Sequence, residues 1–109
     1  MRILFDQGVP HPLRNTLGAS EVKTAFEMGW SQLENGDLID TAEESGFDVF
    51  ISTDKNLRYQ QDLSARQIAI VILPTTSWPK LQSFKEDIGS QVSQAAPGSY
   101  TEVTLGSPT

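Results

Sequence analysis

Three aspartates, Asp6, Asp37 and Asp54, are spaced along this chain so that separate elements could bring them to one hard cation. Asp6 closes the apolar run Arg2-Ile3-Leu4-Phe5. Asp54 closes Phe47-Asp48-Val49-Phe50-Ile51-Ser52-Thr53. Short apolar runs bounded by turn residues read as buried strands. In an open α/β sheet, ligands bind beyond the carboxyl ends of the strands. Asp37 follows Asn35-Gly36 in the expected first turn of the helix that leads into the second of these strands, so all three acids would share one rim. Clustered carboxylates repel one another and need a positive partner. Magnesium or manganese is the natural one, because both are held by a few carboxylates together with waters and phosphate oxygens. A metal held in this way polarises a phosphodiester and activates a water. Aspartates at strand ends also cap helices and open turns, so the reading rests on the convergence of all three.

Basic and aromatic residues lie close to these acids in sequence. Lys55 and Arg58 follow Asp54, and Arg14 falls on the first helical segment; each could hold a phosphate near the metal. Their bland reading is a solvated surface charge. His11, the only histidine, stands between two prolines and reads as incidental. Trp30, Trp78 and Tyr59 are candidates for stacking on bases, which tolerates any sequence. Tyr59 is the better surface candidate, whereas Trp78 opens a helix and reads as core.

The elements that must position these residues alternate between strand and helix. Residues 2–5 read as a strand, 10–17 as a short helix with Leu13 and Leu17 on one face, and 21–25 as a strand nearer the sheet edge. Residues 26–33 read as a loop or a single helical turn. Asn35 is the candidate N-cap of a helix carrying Leu38, Ile39, Ala42 and Ser45 and stopped by Gly46. A third strand follows over 47–52, then a short helix over 56–63. The most apolar stretch, 67–73, reads as a central or near-central strand. One helix is expected over 78–94, with Leu81, Phe84, Ile88 and Val92 at three-to-four spacing, and an edge strand over 100–105. The alternation predicts an α/β fold, a mostly parallel sheet of four or five strands in a three-layer α/β/α domain over 1–105, with 106–109 as a loose tail.

At 109 residues the chain is sized for one domain. It has no cysteine, so disulfides, zinc–thiolate sites and thiol nucleophiles are excluded. Arg2-Ile3-Leu4-Phe5 meets an acid too early for a signal peptide, and no run approaches the roughly 20 apolar residues of a membrane helix. A soluble cytoplasmic protein without a membrane partner is expected. The formal charge of −6 opposes simple electrostatic binding of nucleic acid, an objection that weakens where a bound ion inverts the local field.

Ile3-Leu4-Phe5-Asp6-Gln7 with Val9-Pro10, then Asn35-Gly36-Asp37-Leu38-Ile39, then Ile51-Ser52-Thr53-Asp54-Lys55-Asn56-Leu57, together resemble the PIN-like toxin family. The match is to its small subgroup opening on a "LFD(E/Q)N(L/V)P" stretch, and it spans roughly residues 1–75. The resemblance implies a PIN-like α/β/α fold and a magnesium- or manganese-dependent ribonuclease. It also implies a toxin of a type II toxin–antitoxin pair, with an antitoxin partner and a homodimer. It assigns the acids to Asp6, Asp37 and Asp54, with Thr53 as a hydroxyl support. Two departures stand out. The family usually supplies a fourth acid, for which only Glu27 and Glu34 are nearby, and Gly8 stands where the subgroup has asparagine.

Three other readings compete. A protein-interaction module that keeps the fold without the chemistry suits the missing acid and the negative charge. A receiver-type phosphoacceptor would need a paired acid in the first strand and a lysine on a late strand; here Gln7-Gly8 follow Asp6, and Lys55 adjoins Asp54. A Rossmann nucleotide site lacks its glycine-rich loop.

Overall fold

The computed structural model describes residues 1–18, 21–57 and 66–104. Five short strands form one all-parallel sheet: β1 (Arg2–Phe5), β2 (Glu21–Thr24), β3 (Val49–Ser52), β4 (Ala69–Ile72) and β5 (Tyr100–Glu102), in the order β2-β1-β3-β4-β5. The inner strands β3 and β4 are buried throughout and, but for Ser52, apolar, because a parallel sheet is covered on both faces. The edge strands carry polar and charged residues, which discourages further strand pairing.

Alternate side chains feed two cores. On one face, Ile3, Phe5, Val49, Ile51 and Val71 meet Leu13 and Leu17 of the 3₁₀ segment His11–Thr16 and its end. The same layer holds Leu81 of α2 (Trp78–Gln82) and Ile88 and Val92 of α3 (Lys85–Ser93). On the other face, Leu4, Phe50, Ile70 and Ile72 meet Leu38, Ile39 and Ala42 of α1 (Asn35–Glu44), together with Leu57. Each fully buried aliphatic or aromatic side chain contributes about 1.5–3 kcal/mol. Phe50→Ala, at the centre of the second core, would cost about 3–5 kcal/mol.

Three expectations change. The single helix over 78–94 is two, broken at Ser83-Phe84, where Phe84 adopts φ −121° and ψ 21°. Glu86 and Asp87 fall in the first turn of α3 and favour a fresh start, because carboxylates stabilise a helix N-terminus. The segment over 10–17 is 3₁₀ rather than α. Asn35 is the first residue of α1 rather than its cap, which is Glu34. The helix expected over 56–63 lies outside the described residues beyond Leu57, as do Arg58, Tyr59 and the tail.

The strand order sets where a ligand can sit. Leu13 and Leu17, between β1 and β2, pack on the first face, and Leu57, just after β3, packs on the second. The carboxyl ends of β1 and β3, which are hydrogen-bonded neighbours, therefore border a crevice where the connections part.

Candidate functional site

Asp6 and Asp54 stand at that crevice. The Asp6 N–H donates to the Ile51 carbonyl at 2.9 Å, so the residue leaves β1 still paired to β3. Ser52, the last residue of β3 and fully buried, joins the two acids. Its hydroxyl donates to Asp6 Oδ2 at 2.8 Å and accepts the Asp54 N–H at 3.1 Å. The remaining carboxylate oxygens are also oriented. Asp6 Oδ1 accepts the Gln7 N–H at 2.8 Å. Asp54 Oδ1 accepts the Asn56 N–H and Oδ2 accepts Asn35 Nδ2, both at 3.0 Å.

All of these partners are neutral. Among the described residues the ion pairs are Arg2–Glu21, Arg14–Glu27 and Arg66–Asp40, and none involves Asp6 or Asp54. Two half-buried carboxylates thus share a crevice without a protein cation among those residues. The two carboxylates and the Ser52 hydroxyl offer oxygens suited to a hard divalent ion, while Asn35 turns its amide N–H, not its oxygen, to Asp54.

Asp37 does not join them. Among the described residues no group of three or more His, Cys, Asp or Glu side chains is placed to hold a metal. The reason is helical geometry. Asn35, Leu38, Ile39 and Ala42 form one stripe; Leu38, Ile39 and Ala42 pack on the sheet, while Asn35 reaches Asp54. Asp37 lies two residues from Asn35, or about 200° around the helix, and is exposed. The periodicity that fixed the core face also held the signal that Asn35, not Asp37, points at the site.

The supporting residues divide in the same way. Arg14 is not free to hold phosphate: it pairs with Glu27 through Nη2 at 2.7 Å and Nη1 at 3.4 Å. Glu27 also accepts the Thr24 N–H at 2.9 Å, and its own N–H donates to Thr24 Oγ1 at 3.0 Å. The Arg14 guanidinium, then the Thr24 N–H, lower the Glu27 pKa from 4.5 to about 2. Glu27 is therefore a charge-paired buttress between the 3₁₀ segment and the end of β2. Glu34, the other stand-in for a fourth acid, is exposed at the start of α1.

Lys55 is exposed and lines a separate hollow of about 320 Å³ with Leu73, Pro74 and Glu102. Thr53 packs under the turn after β1, where a Cβ on Gly8 would stand 2.6 Å from Thr53 Oγ1. Glycine at position 8 thus has a steric cause: Thr53 occupies the space a side chain would need. Trp30 meets Phe47 edge-on, with ring centroids 6.0 Å apart, and both belong with the α1-side core. Trp78 packs against the other core.

On the β1 side the crevice opens into a cleft of about 380 Å³ lined by Asp6, Gln7, His11, Thr24, Phe26, Ser31 and Gln32. A larger hollow of about 580 Å³ lies at the opposite rim, around Met1, Glu43, Asp48 and Pro97. Size does not make it the site, because the chain reversal that opens a crevice is at the carboxyl ends.

Ser52 and Asn35 are the site residues that sequence reasoning left unassigned. Ser52 announces itself as the one hydroxyl in Val49-Phe50-Ile51-Ser52, a run otherwise apolar. Comparison with family models, curated proteins and solved structures finds no match to this chain. Among the described residues no helix is long and apolar enough to cross a membrane.

Proposed function

We propose that this chain is a metal-dependent ribonuclease that hydrolyses phosphodiesters at the crevice between β1 and β3. The observation that carries the reading is the Asp6–Ser52–Asp54 linkage, in which one hydroxyl ties the Asp6 carboxylate to the Asp54 backbone at the strand reversal, both acids having only neutral partners among the described residues. Asp6 and Asp54 would hold magnesium or manganese, with Asn35 orienting the Asp54 carboxylate through its amide N–H. When bound, the ion supplies polarisation of the phosphodiester and a nucleophilic water. Ser52 fixes the Asp6 carboxylate and the Asp54 backbone by opposite ends of one hydroxyl. The N–H groups of Gln7 and Asn56 hold the remaining oxygens in line.

The resemblance adds the role of toxin in a type II pair, with an antitoxin partner, a homodimer and a cytoplasmic setting. The direct test is cleavage of RNA by purified protein, with manganese and with chelator. Cleavage that chelation stops and Asp6→Asn abolishes is the expected result. No metal-dependent cleavage of any RNA offered would defeat the proposal.

A second reading, an interaction module without catalysis, draws on the outward turn of Asp37 and the net charge of −6. It expects no metal binding by calorimetry, with partner binding unchanged in Asp54→Ala.

A further inference from the structure

Among the large apolar side chains of the described residues, Phe26 is the most exposed, at 74 %. Isolated apolar residues on a surface are common and call for no explanation. Phe26 differs in its placement. Met28 and Trp30, from the same turn, pack against the α1-side core, whereas Phe26 lines the cleft that also holds Asp6. The backbone fixes this proximity. Thr24 is in register with Phe5, and the Ala25 N–H donates to the Phe5 carbonyl at 2.9 Å. The chain thus leaves β2 one strand spacing, about 4.8 Å, from where Asp6 leaves β1. The Arg14–Glu27 pair and the Thr24–Glu27 hydrogen bonds brace the turn carrying Phe26. On the other side of the cleft, Gln7 Nε2 donates to the Ser31 carbonyl at 2.7 Å.

We infer that Phe26 is a stacking platform for an unpaired nucleobase whose adjoining phosphate lies at Asp6. This rests on the metal-dependent reading of Asp6 and Asp54 and adds a base subsite to it. An aromatic face takes any base, because every base presents a π-face. The exposed His11 and Gln32 line the same cleft and offer polar groups to a base edge. The cleft volume of about 380 Å³ lies at the small end of ligand sites, the scale of one nucleotide rather than a helix. A base stacked within a duplex has no free face to offer.

The test uses two small probes that cannot be cleaved internally, adenosine 5′-monophosphate and ribose 5-phosphate, titrated by calorimetry into the whole protein with magnesium. The nucleotide should bind about tenfold tighter than the sugar phosphate, the scale of one aromatic–base stack. Phe26→Ala should erase that difference while leaving ribose 5-phosphate affinity and the unfolding midpoint unchanged, and Phe26→Trp should restore it. Equal affinity of the two probes for the wild type, or a preference surviving in Phe26→Ala, would overturn the base subsite while the metal reading stands. If magnesium itself fails to bind the wild type, the metal reading falls and the subsite falls with it.

Discussion

The two rims of the sheet use their acids differently. At the amino-end rim, carboxylates are spent on structure. Glu21 pairs with Arg2 at 2.9 Å, Asp48 accepts the Arg2 N–H at 2.7 Å, and Glu43 accepts the N–H groups of Gln67 and Ile68. Arg2 also lies over the Phe47 ring, 4.3 Å from its centroid, and donates to the Ser45 carbonyl. At the carboxyl-end rim, Asp6 and Asp54 are oriented by neutral donors and keep their charge uncompensated among the described residues. The larger hollow belongs to the first rim, the hydroxyl-linked Asp6 and Asp54 to the second. Glu43 and Asp48 also lack an ion pair among the described residues, so charge alone does not separate the rims. The difference is that one hydroxyl ties the Asp6 carboxylate to the Asp54 backbone, whereas each amino-end acid holds down Arg2 or a backbone segment by itself.

That contrast can be broken most sharply at Ser52. Removing the hydroxyl in Ser52→Ala leaves Asp6 and the Asp54 N–H without their common partner. Manganese affinity, read by calorimetry, should fall about 10–100-fold, the usual loss when a group that orients a metal ligand is removed. The same measurement on Glu43→Ala should show no change in manganese affinity. The variant should instead lose about 1–3 kcal/mol in urea unfolding, because two N–H groups lose their acceptor. A metal effect at Glu43, or none at Ser52, would erase the distinction between the rims.

A smaller effect sharpens the comparison at Glu27, the acid on the carboxyl-end rim that does have a cation. Its pKa falls from 4.5 to about 2 on folding. The folded protein therefore gives up this proton more readily than the unfolded chain. The resulting stabilisation is complete above pH 4.5 and is lost as the pH falls toward 2. Glu27→Gln should flatten that part of the stability–pH curve measured by urea unfolding and leave manganese affinity at pH 7 unchanged. The smallest expected change is at Gly8. Gly8→Ala forces Thr53 Oγ1 to move from 2.6 Å, at a cost of about 1 kcal/mol, read as a lowered unfolding midpoint.

The sheet was legible in the sequence because its inner strands are uninterrupted apolar runs such as Ala69-Ile70-Val71-Ile72, and a parallel strand buried on both faces has no other signature. Glycines marked the ends of α1 and of the 3₁₀ segment: Gly46 and Gly18 take positive φ, 87° and 61°. Asp6 and Asp54 could be placed at one rim because each ends an apolar run. The details that decide the site were harder to read. Along the chain Asp37 reads as a metal ligand and Asn35 as a helix cap, whereas the helical stripe through Leu38, Ile39 and Ala42 carries Asn35 to Asp54. Arg14 read as a free cation because its partner Glu27 is thirteen residues away and meets it only through tertiary packing. Phe26 drew no attention because nothing in a sequence tells an exposed aromatic from a buried one in an irregular turn. The break at Ser83-Phe84 was hidden by an apolar spacing that two helices keep as well as one.

The central claim is that two carboxylates, from β1 and from the loop after β3, close on a single ion with Asn35 beside them. A crystal structure with manganese tests it most directly. The account predicts one ion within about 2.0–2.2 Å of an oxygen of Asp6 and of Asp54, with Ser52 still bridging them and Asp37 turned outward. Asp6 and Asp54 carrying no ion between them, or manganese bound at the amino-end rim instead, would contradict it.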